Sequence, residues 1–151
     1  MILLKMPMPC SVNAYLKPRQ RDGRLCKTEA AILFDKIMMS YKMRNFRDLD
    51  LISKGLKVWI SQDKFNVIKL RRVYHFCEKR VFTKTKGSKC QLQELDTENF
   101  LKLNSDAIAL MLDIDDRYFK NLEVTTAVID NSKAEFIDVE FLLSTIIKVG
   151  V

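Results

Sequence analysis

The segment from Lys64 to Cys90 constrains the fold most strongly, because it combines many charged side chains with regularly spaced apolar ones. Its secondary structure must solvate the charges and bury the apolar side chains. It holds nine Lys and Arg residues, one Glu and five aromatic or histidine side chains in 27 positions. On a helix, five of its apolar residues fall within an arc of about 80° and four of the cations lie roughly opposite, with Phe65 and Phe76 on the basic side. On a strand, the same residues alternate between two mixed faces. The sequence therefore favours a helix over Val67–Cys77, with a strand as the alternative.

The remaining pattern predicts an α+β fold, as a single compact domain with two to four helices and two antiparallel β-hairpins. The apolar periodicity after Thr28, a suitable N-cap, predicts the first helix. Asn45 and Gly55 mark the start and the end of a short second helix. Leu56–Ile60 alternates as a strand does. The two hairpins are expected at about 81–95, with a basic Lys-Gly-Ser-Lys turn, and at about 122–142, with a turn at Asp130–Lys133.

Length and cysteine spacing narrow the class of protein further. A chain of 151 residues with 48% hydrophobic content fits one domain over residues 1–151, and residues 1–27 are expected to include an extended basic N-terminal arm. No stretch approaches the roughly 20 apolar residues that cross a bilayer. Four cysteines without paired zinc spacing or a dense disulfide pattern indicate reduced thiols and a cytoplasmic or nuclear location.

Charge is distributed unevenly along the chain. Residues 1–90 carry 21 basic and 7 acidic side chains, whereas residues 91–151 carry 5 basic and 12 acidic ones. A basic half joined to an acidic half is typical of proteins that bind nucleic acid or an anionic membrane surface. The same division also permits head-to-tail self-association.

The leading hypothesis is a non-enzymatic nucleic-acid-binding protein, DNA or RNA, that acts as a regulator. A helix followed by a basic hairpin would place the helix in a groove and the hairpin tip on phosphates. Tyr74 or Phe76 would stack on a base or pack beneath the contact. The predicted contact residues are Lys69, Arg71, Arg72, Tyr74, Phe76, Lys79, Arg80, Lys84, Lys86 and Lys89. A second, flexible phosphate contact is predicted for the arm through Lys17, Arg19, Arg21 and Arg24.

No pattern in the chain points to an enzyme, a metal or a cofactor. Gly-rich phosphate loops, nucleophile elbows and paired-histidine metal motifs do not occur. His75 is the only histidine and would need to reach Cys77 to activate it, which a helix does not allow. The carboxylates of Asp113, Asp115 and Asp116 fit a solvated helix end better than a magnesium site. We therefore predict no catalytic residues, no metal site and no cofactor.

An alternative hypothesis explains the same charges without nucleic acid. The protein would be a structural or accessory interaction protein that self-associates or docks partners through opposed basic and acidic surfaces. Low Gly and Ala with abundant Lys, Ile, Phe and Met would fit an AT-rich genome such as that of a virus. A homo-oligomer through these surfaces is the partner that this hypothesis predicts.

Overall fold

A mixed four-stranded sheet in the order β1–β8–β4–β7 forms the centre of the computed structural model. The structure describes residues 2–10, 15–84, 90–92 and 98–150, and for residues 83, 84, 90–92, 98 and 99 it describes the backbone alone. The α+β class and the single compact domain are confirmed. The elements are β1 Ile2–Pro7, β2 Leu16–Pro18, β3 Leu25–Lys27, α1 Glu29–Arg44, α2 Phe46–Gln62, β4 Asn66–Cys77, α3 Glu78–Val81, β5 Phe82–Lys84, β6 Cys90–Leu92, α4 Glu98–Leu112, a 3-10 turn Asp116–Tyr118, β7 Phe119–Ile129 and β8 Phe136–Thr145.

The segment favoured as a helix is the strand β4, so that prediction was wrong and the alternative holds. β4 pairs antiparallel with β8 on one side and parallel with β7 on the other. Hydrogen bonding along both edges supplies partners for the backbone N–H and C=O groups of β4 from β7 and β8. The even-numbered side chains from Ile68 to Phe76 are buried, and the odd-numbered ones from Lys69 to His75 are half-buried.

The second helix is longer than the sequence indicated. α2 runs through Gly55 and includes Leu56–Ile60, which was expected to form a strand. Leu49 and Leu56 are buried on one helical face, and Ile52 and Ile60 pack beside them. This spacing of three, four and seven residues is a helical stripe. The strand-like alternation of Leu56–Ile60 covers only five residues and does not outweigh this helical pattern.

The second expected hairpin has its strands and its turn in place but not its pairing. β7 and β8 are joined by a turn in which the Lys133 N–H donates to the Asp130 carbonyl. In the sheet, however, β4 lies between them. The chain enters β7 by a crossover through α4, and parallel neighbours require such a connection. In the first expected hairpin, β5 pairs antiparallel with β6, as predicted.

The N-terminal stretch is only partly an arm. β1 pairs with β8 along its whole length and forms one edge of the central sheet. The basic residues that follow belong to a small hairpin made of β2 and β3. Residues 2–7 are therefore part of the fold, and the basic arm begins after them.

Helices cover one face of the sheet and leave the other open. The largest buried side chains of the covered face include Met6, Tyr74, Phe76 and Ile137, which pack with Leu112 of α4. None of the helices among the described residues combines the length and apolar content needed to cross a bilayer. Cys10, Cys26 and Cys77 are free thiols.

Candidate nucleic-acid interface

Three of the predicted contact residues lie inside the protein. Arg72, Tyr74 and Phe76 point from β4 towards the helices and have 0% of their surface exposed. In the strand, residues two apart share a face, so the alternation that buries Ile68 and Leu70 buries these three as well. They cannot touch a ligand at the surface, and their roles are structural.

The buried guanidinium of Arg72 is held by neutral oxygen atoms. Its Nε donates to Asn104 Oδ1 at 2.7 Å, its Nη2 to Ser105 Oγ at 2.7 Å and its Nη1 to Asn121 Oδ1 at 2.5 Å. Burial lowers the pKa of Arg72, because the charged form loses hydration. This network fastens β4 to α4 and β7, since each element supplies one or two of its members.

Tyr74 extends the same buried row but leaves one polar atom unpaired. Its hydroxyl oxygen is buried and has no hydrogen-bond partner among the described residues. Burial raises the pKa of Tyr74 to about 12. Its ring stacks on Phe76 at 5.9 Å and lies 6.2 Å from the ring of Phe100. The ring therefore serves the core, while the hydroxyl destabilises it.

Arg80 packs its guanidinium group against two rings of this aromatic cluster. Its guanidinium carbon lies 5.1 Å from the ring centre of Phe76 and 5.3 Å from that of Phe100. The same group forms an ion pair with Glu135. Cation–π contacts of this kind stabilise a fold as well as they would bind a base. Arg80 is thus occupied within the molecule.

The basic and acidic halves of the sequence meet on the open face of the sheet. Arg71 donates from Nε to Glu123 on β7 at 2.8 Å and from Nη1 to Glu140 on β8 at 2.6 Å. His75 Nε2 lies 2.8 Å from Asp138 Oδ2, and its ring stacks on Phe136. The hydrogen bonds that Arg71 donates to Glu140 and to Glu123, with the Glu140 contribution largest, raise the pKa of Arg71. Arg71 and His75 of β4 are therefore engaged by carboxylates of the neighbouring strands.

Two of the remaining predicted contacts lie on different elements. Lys69 is half-buried on the open face, and Lys79 is exposed on α3. The side chain of Lys84 and the whole of Lys86 and Lys89 lie outside the described residues. The structure thus does not bring the predicted set together on one surface of β4.

The β2–β3 hairpin carries the arm residues on an ordered support. Its turn closes through Arg19 N to Arg24 O at 2.8 Å and Gly23 N to Arg19 O at 2.8 Å. Gly23 has a φ of +68°, a conformation that side chains disfavour. Asp22 accepts from Nε and Nη2 of Arg19 and from the Arg24 N–H. The hydrogen bond from Arg19 lowers the pKa of Asp22. The turn is therefore held in shape by its own side chains.

The cations of this hairpin point into solvent. Lys17, Arg21 and Arg24 are exposed, and 83% of the Arg24 side chain is accessible. The base of the hairpin is tied to α1, where Asp35 accepts from the Tyr15 hydroxyl at 3.2 Å and from Lys27 Nζ at 2.5 Å. The exposed cations thus stand on an anchored element.

Both hairpins follow strands that end at the same edge of the sheet. Pro7 at the end of β1 pairs with Phe136, and Phe136 pairs on its other side with His75 near the end of β4. Neighbouring strands are about 4.8 Å apart, so the two exit points are separated by roughly 10 Å. The β2–β3 and β5–β6 segments therefore leave from one edge, which we call the carboxyl edge. The carboxyl ends of parallel strands are the usual place for ligand sites in open sheets.

A groove of about 380 Å³ lies beside the base of the β2–β3 hairpin, between α1 and α4. Its lining is largely apolar and includes Phe34, Met38, Met39 and Leu110. It has few groups that could hold a phosphate. We therefore do not include it in the candidate interface.

The residues considered for chemistry in the sequence are engaged structurally. Asp113 pairs with Lys57 at 2.7 Å, and this hydrogen bond lowers the pKa of Asp113. Asp115 caps the 3-10 turn by accepting from the Arg117 N–H. Cys77 Sγ lies near the carbonyls of Asp130 and Lys133. Among residues 2–10, 15–84, 90–92 and 98–150, no three His, Cys, Asp or Glu side chains are grouped to hold a metal ion.

Comparison of the chain with protein-family models gives no matching family, and comparison with curated proteins gives no matching sequence.

Two tyrosine variants test the unpaired hydroxyl. Tyr74→Phe should raise the free energy of unfolding by about 1 kcal/mol, because it removes a buried oxygen that lacks a partner. Tyr15→Phe removes the same atom but breaks the hydrogen bond to Asp35, so it should lower stability by about 0.5–1 kcal/mol. Urea denaturation measures both. A loss of stability in Tyr74→Phe would contradict the lack of a hydrogen-bond partner for this hydroxyl.

Two asparagine variants test the Arg72 network. Asn104→Leu leaves the buried Nε–H of Arg72 without an acceptor and should lower the free energy of unfolding by about 1.5–3 kcal/mol. Asn121 is exposed, so water can replace its oxygen in Asn121→Leu, and the loss should stay below about 1 kcal/mol. Equal losses in the two variants would show that Arg72 is not sealed from solvent.

Proposed function

We propose that this protein is a non-enzymatic nucleic-acid-binding protein that contacts phosphates through its carboxyl edge. The contact residues on the β2–β3 hairpin are Lys17, Arg19, Arg21 and Arg24. Lys79 and the basic turn of the hairpin expected at about 81–95, with Lys84, Lys86 and Lys89, extend the contact from the end of β4. This replaces the helix-in-groove arrangement that the sequence favoured.

The observation that supports the proposal most is the surplus of positive charge on the β2–β3 hairpin. Residues 15–28 contain five Lys and Arg residues and one acidic residue, Asp22. Asp22 is already engaged by Arg19, and Lys27 pairs with Asp35. Arg21 and Lys17 have no ion-pair partner among the described residues. Exposed cations on a narrow hairpin can follow a phosphate backbone, and the release of its counterions favours binding without sequence preference.

The alternative function, docking through opposed basic and acidic surfaces, receives less support from the geometry. It needs a basic and an acidic surface that are separate and free. Arg71 is paired with Glu123 and Glu140, Arg80 with Glu135 and Lys57 with Asp113. Many of the charges that suggested such surfaces are therefore used between strands and helices of one molecule.

Salt dependence of binding tests the proposal directly. Affinity for a DNA duplex and for a single-stranded RNA should be measured by fluorescence anisotropy over a range of salt concentrations. Arg21→Gln/Arg24→Gln removes two exposed cations from the turn. On the duplex it should weaken binding and reduce the slope of log K against log salt by about 1.8, since each phosphate contact contributes about 0.9.

The matched control removes two arginines at the same spacing from the far end of the helical layer. Arg44 and Arg47 are exposed at the junction of α1 and α2. α1 begins directly after the β2–β3 hairpin and spans 16 residues, or about 24 Å, so Arg44 lies at its far end. Arg44→Gln/Arg47→Gln should leave the slope unchanged. Equal effects from the two pairs, or no binding to either probe by the unmodified protein, would contradict the proposal.

A further inference from the structure

The β2–β3 hairpin carries an apolar face as well as its cations. Leu16 and Pro18 lie on β2, and the register places Pro18 opposite Leu25 on β3. Opposite residues, and residues two apart on one strand, share a face of a two-stranded sheet, so these three side chains stand on the same side. All three are exposed, Leu16 by 44% and Leu25 by 67%. Exposed apolar side chains that adjoin one another and are rimmed by polar residues are typical of a binding surface.

The position along the hairpin separates these apolar side chains into two sets. Pro18 and Leu25 form the last cross-strand pair before the turn at residues 19–24. Leu16 pairs with Lys27 at the base of the hairpin, where Lys27 is held by Asp35 of α1. Two residues along a strand correspond to about 7 Å. The pair of Pro18 and Leu25 is therefore presented at the free end of the hairpin, away from its anchored base.

The dimensions of the hairpin match the major groove of B-form DNA. That groove is about 12 Å wide and about 8.5 Å deep and admits a two-stranded β-ribbon, whereas the minor groove is only about 6 Å wide. β2 and β3 have three residues each, which correspond to about 10 Å, so the hairpin is long enough to enter the groove to its full depth. The major groove of A-form RNA is deep and narrow, and side chains do not reach its bases. The shape of the hairpin therefore favours duplex DNA over duplex RNA.

The composition of the turn favours DNA over a lipid surface. Residues 19–24 contain three arginines and no apolar side chain. A hairpin that enters a bilayer would carry this turn into hydrocarbon first, where charged side chains and unpaired backbone groups are costly. In the major groove the same arginines meet phosphates on either side. The apolar pair behind them meets the apolar group that base pairs present there, which is the C5-methyl of thymine.

We propose that the free end of the β2–β3 hairpin enters the major groove of B-form duplex DNA, where Leu25, packed beside Pro18, contacts a thymine methyl group. Arg21 and Arg24 contact the phosphates along the groove, and the Arg19–Asp22 contact keeps the turn in shape. This inference rests on the proposed nucleic-acid binding and names its substrate class. It adds a preference for A·T pairs to a contact with phosphates that has none.

Removing the thymine methyl groups tests the contact from the DNA side. A duplex of alternating A·T pairs offers a methyl group in every register, and the same duplex with deoxyuridine in place of thymidine lacks them all. The unmodified protein should bind the thymidine duplex about fourfold more tightly, the factor expected when one methyl group is buried. An RNA duplex of alternating A·U pairs should bind more weakly than either DNA duplex. Fluorescence anisotropy at one salt concentration measures all three affinities.

Two leucine variants test the contact from the protein side. Leu25→Ala should bind the thymidine and deoxyuridine duplexes with equal affinity. Leu16→Ala, the matched control at the base of the hairpin, should keep the preference of the unmodified protein. Both side chains are exposed, so neither change should alter the free energy of unfolding by more than about 0.5 kcal/mol. Neither variant removes a cation, so both should keep the salt dependence of binding.

The results separate this inference from the proposed function. Equal affinity of the unmodified protein for the two DNA duplexes, with the salt dependence intact, would overturn the major-groove contact and leave phosphate binding in place. A preference that persists in Leu25→Ala would also overturn the contact. Absence of binding to every duplex would overturn the proposed function and this inference together. Binding to vesicles of phosphatidylcholine and phosphatidylserine that is lost in Leu25→Ala, without a preference between the DNA duplexes, would assign the apolar pair to a lipid surface instead.

Discussion

The central position of β4 determines most of what this protein presents to its surroundings. Its backbone pairs with β8 along one edge and with β7 along the other, and both edges are used over nearly the full strand. A strand in that position has one face under the helices and one face towards the open side of the sheet. Arg72, Tyr74 and Phe76 are thereby buried, and Arg71 and His75 face carboxylates of the neighbouring strands. The most basic strand of the sheet is consequently one of the least available to a ligand.

This arrangement changes the meaning of the charge division along the chain. The acidic C-terminal segment supplies β7 and β8, and these strands flank β4 in space. Glu123, Glu140, Asp138 and Glu135 all approach basic or histidine side chains of the central segment. Such ion pairs are each worth little at a surface, and they engage charges that would otherwise be free for a ligand. The β2–β3 hairpin, by contrast, keeps Lys17 and Arg21 exposed and without an ion-pair partner among the described residues.

Local signals in the sequence predicted local structure well. Thr28 was expected to cap the first helix, and its hydroxyl accepts from the Ala31 N–H at 3.2 Å. The alternation through Ile137, Val139 and Phe141 matches their burial in β8.

Non-local pairing could not be predicted from the sequence. Arg71 contacts partners 52 and 69 residues away, and β4 separates two strands that a short turn joins. The helix prediction failed for the same reason: over Val67–Cys77 both periods fit, and the flanking strands decided between them. The sequence predicted a flexible basic arm here, and the pairing of β2 with β3 and the anchoring of Tyr15 and Lys27 to Asp35 make it an ordered hairpin.

Hydrogen exchange of the protein alone and with an oligonucleotide tests the central claim most directly, because one experiment reports on β4 and on the β2–β3 hairpin together. We expect the amides of Ile68–Phe76 to exchange slowest in the free protein and to stay unchanged when the oligonucleotide is added. The amides of Leu16–Lys27 should exchange faster in the free protein and become protected in the complex. Protection that appears on β4 and not on the hairpin, or β4 amides that exchange as fast as those of the hairpin, would contradict this account.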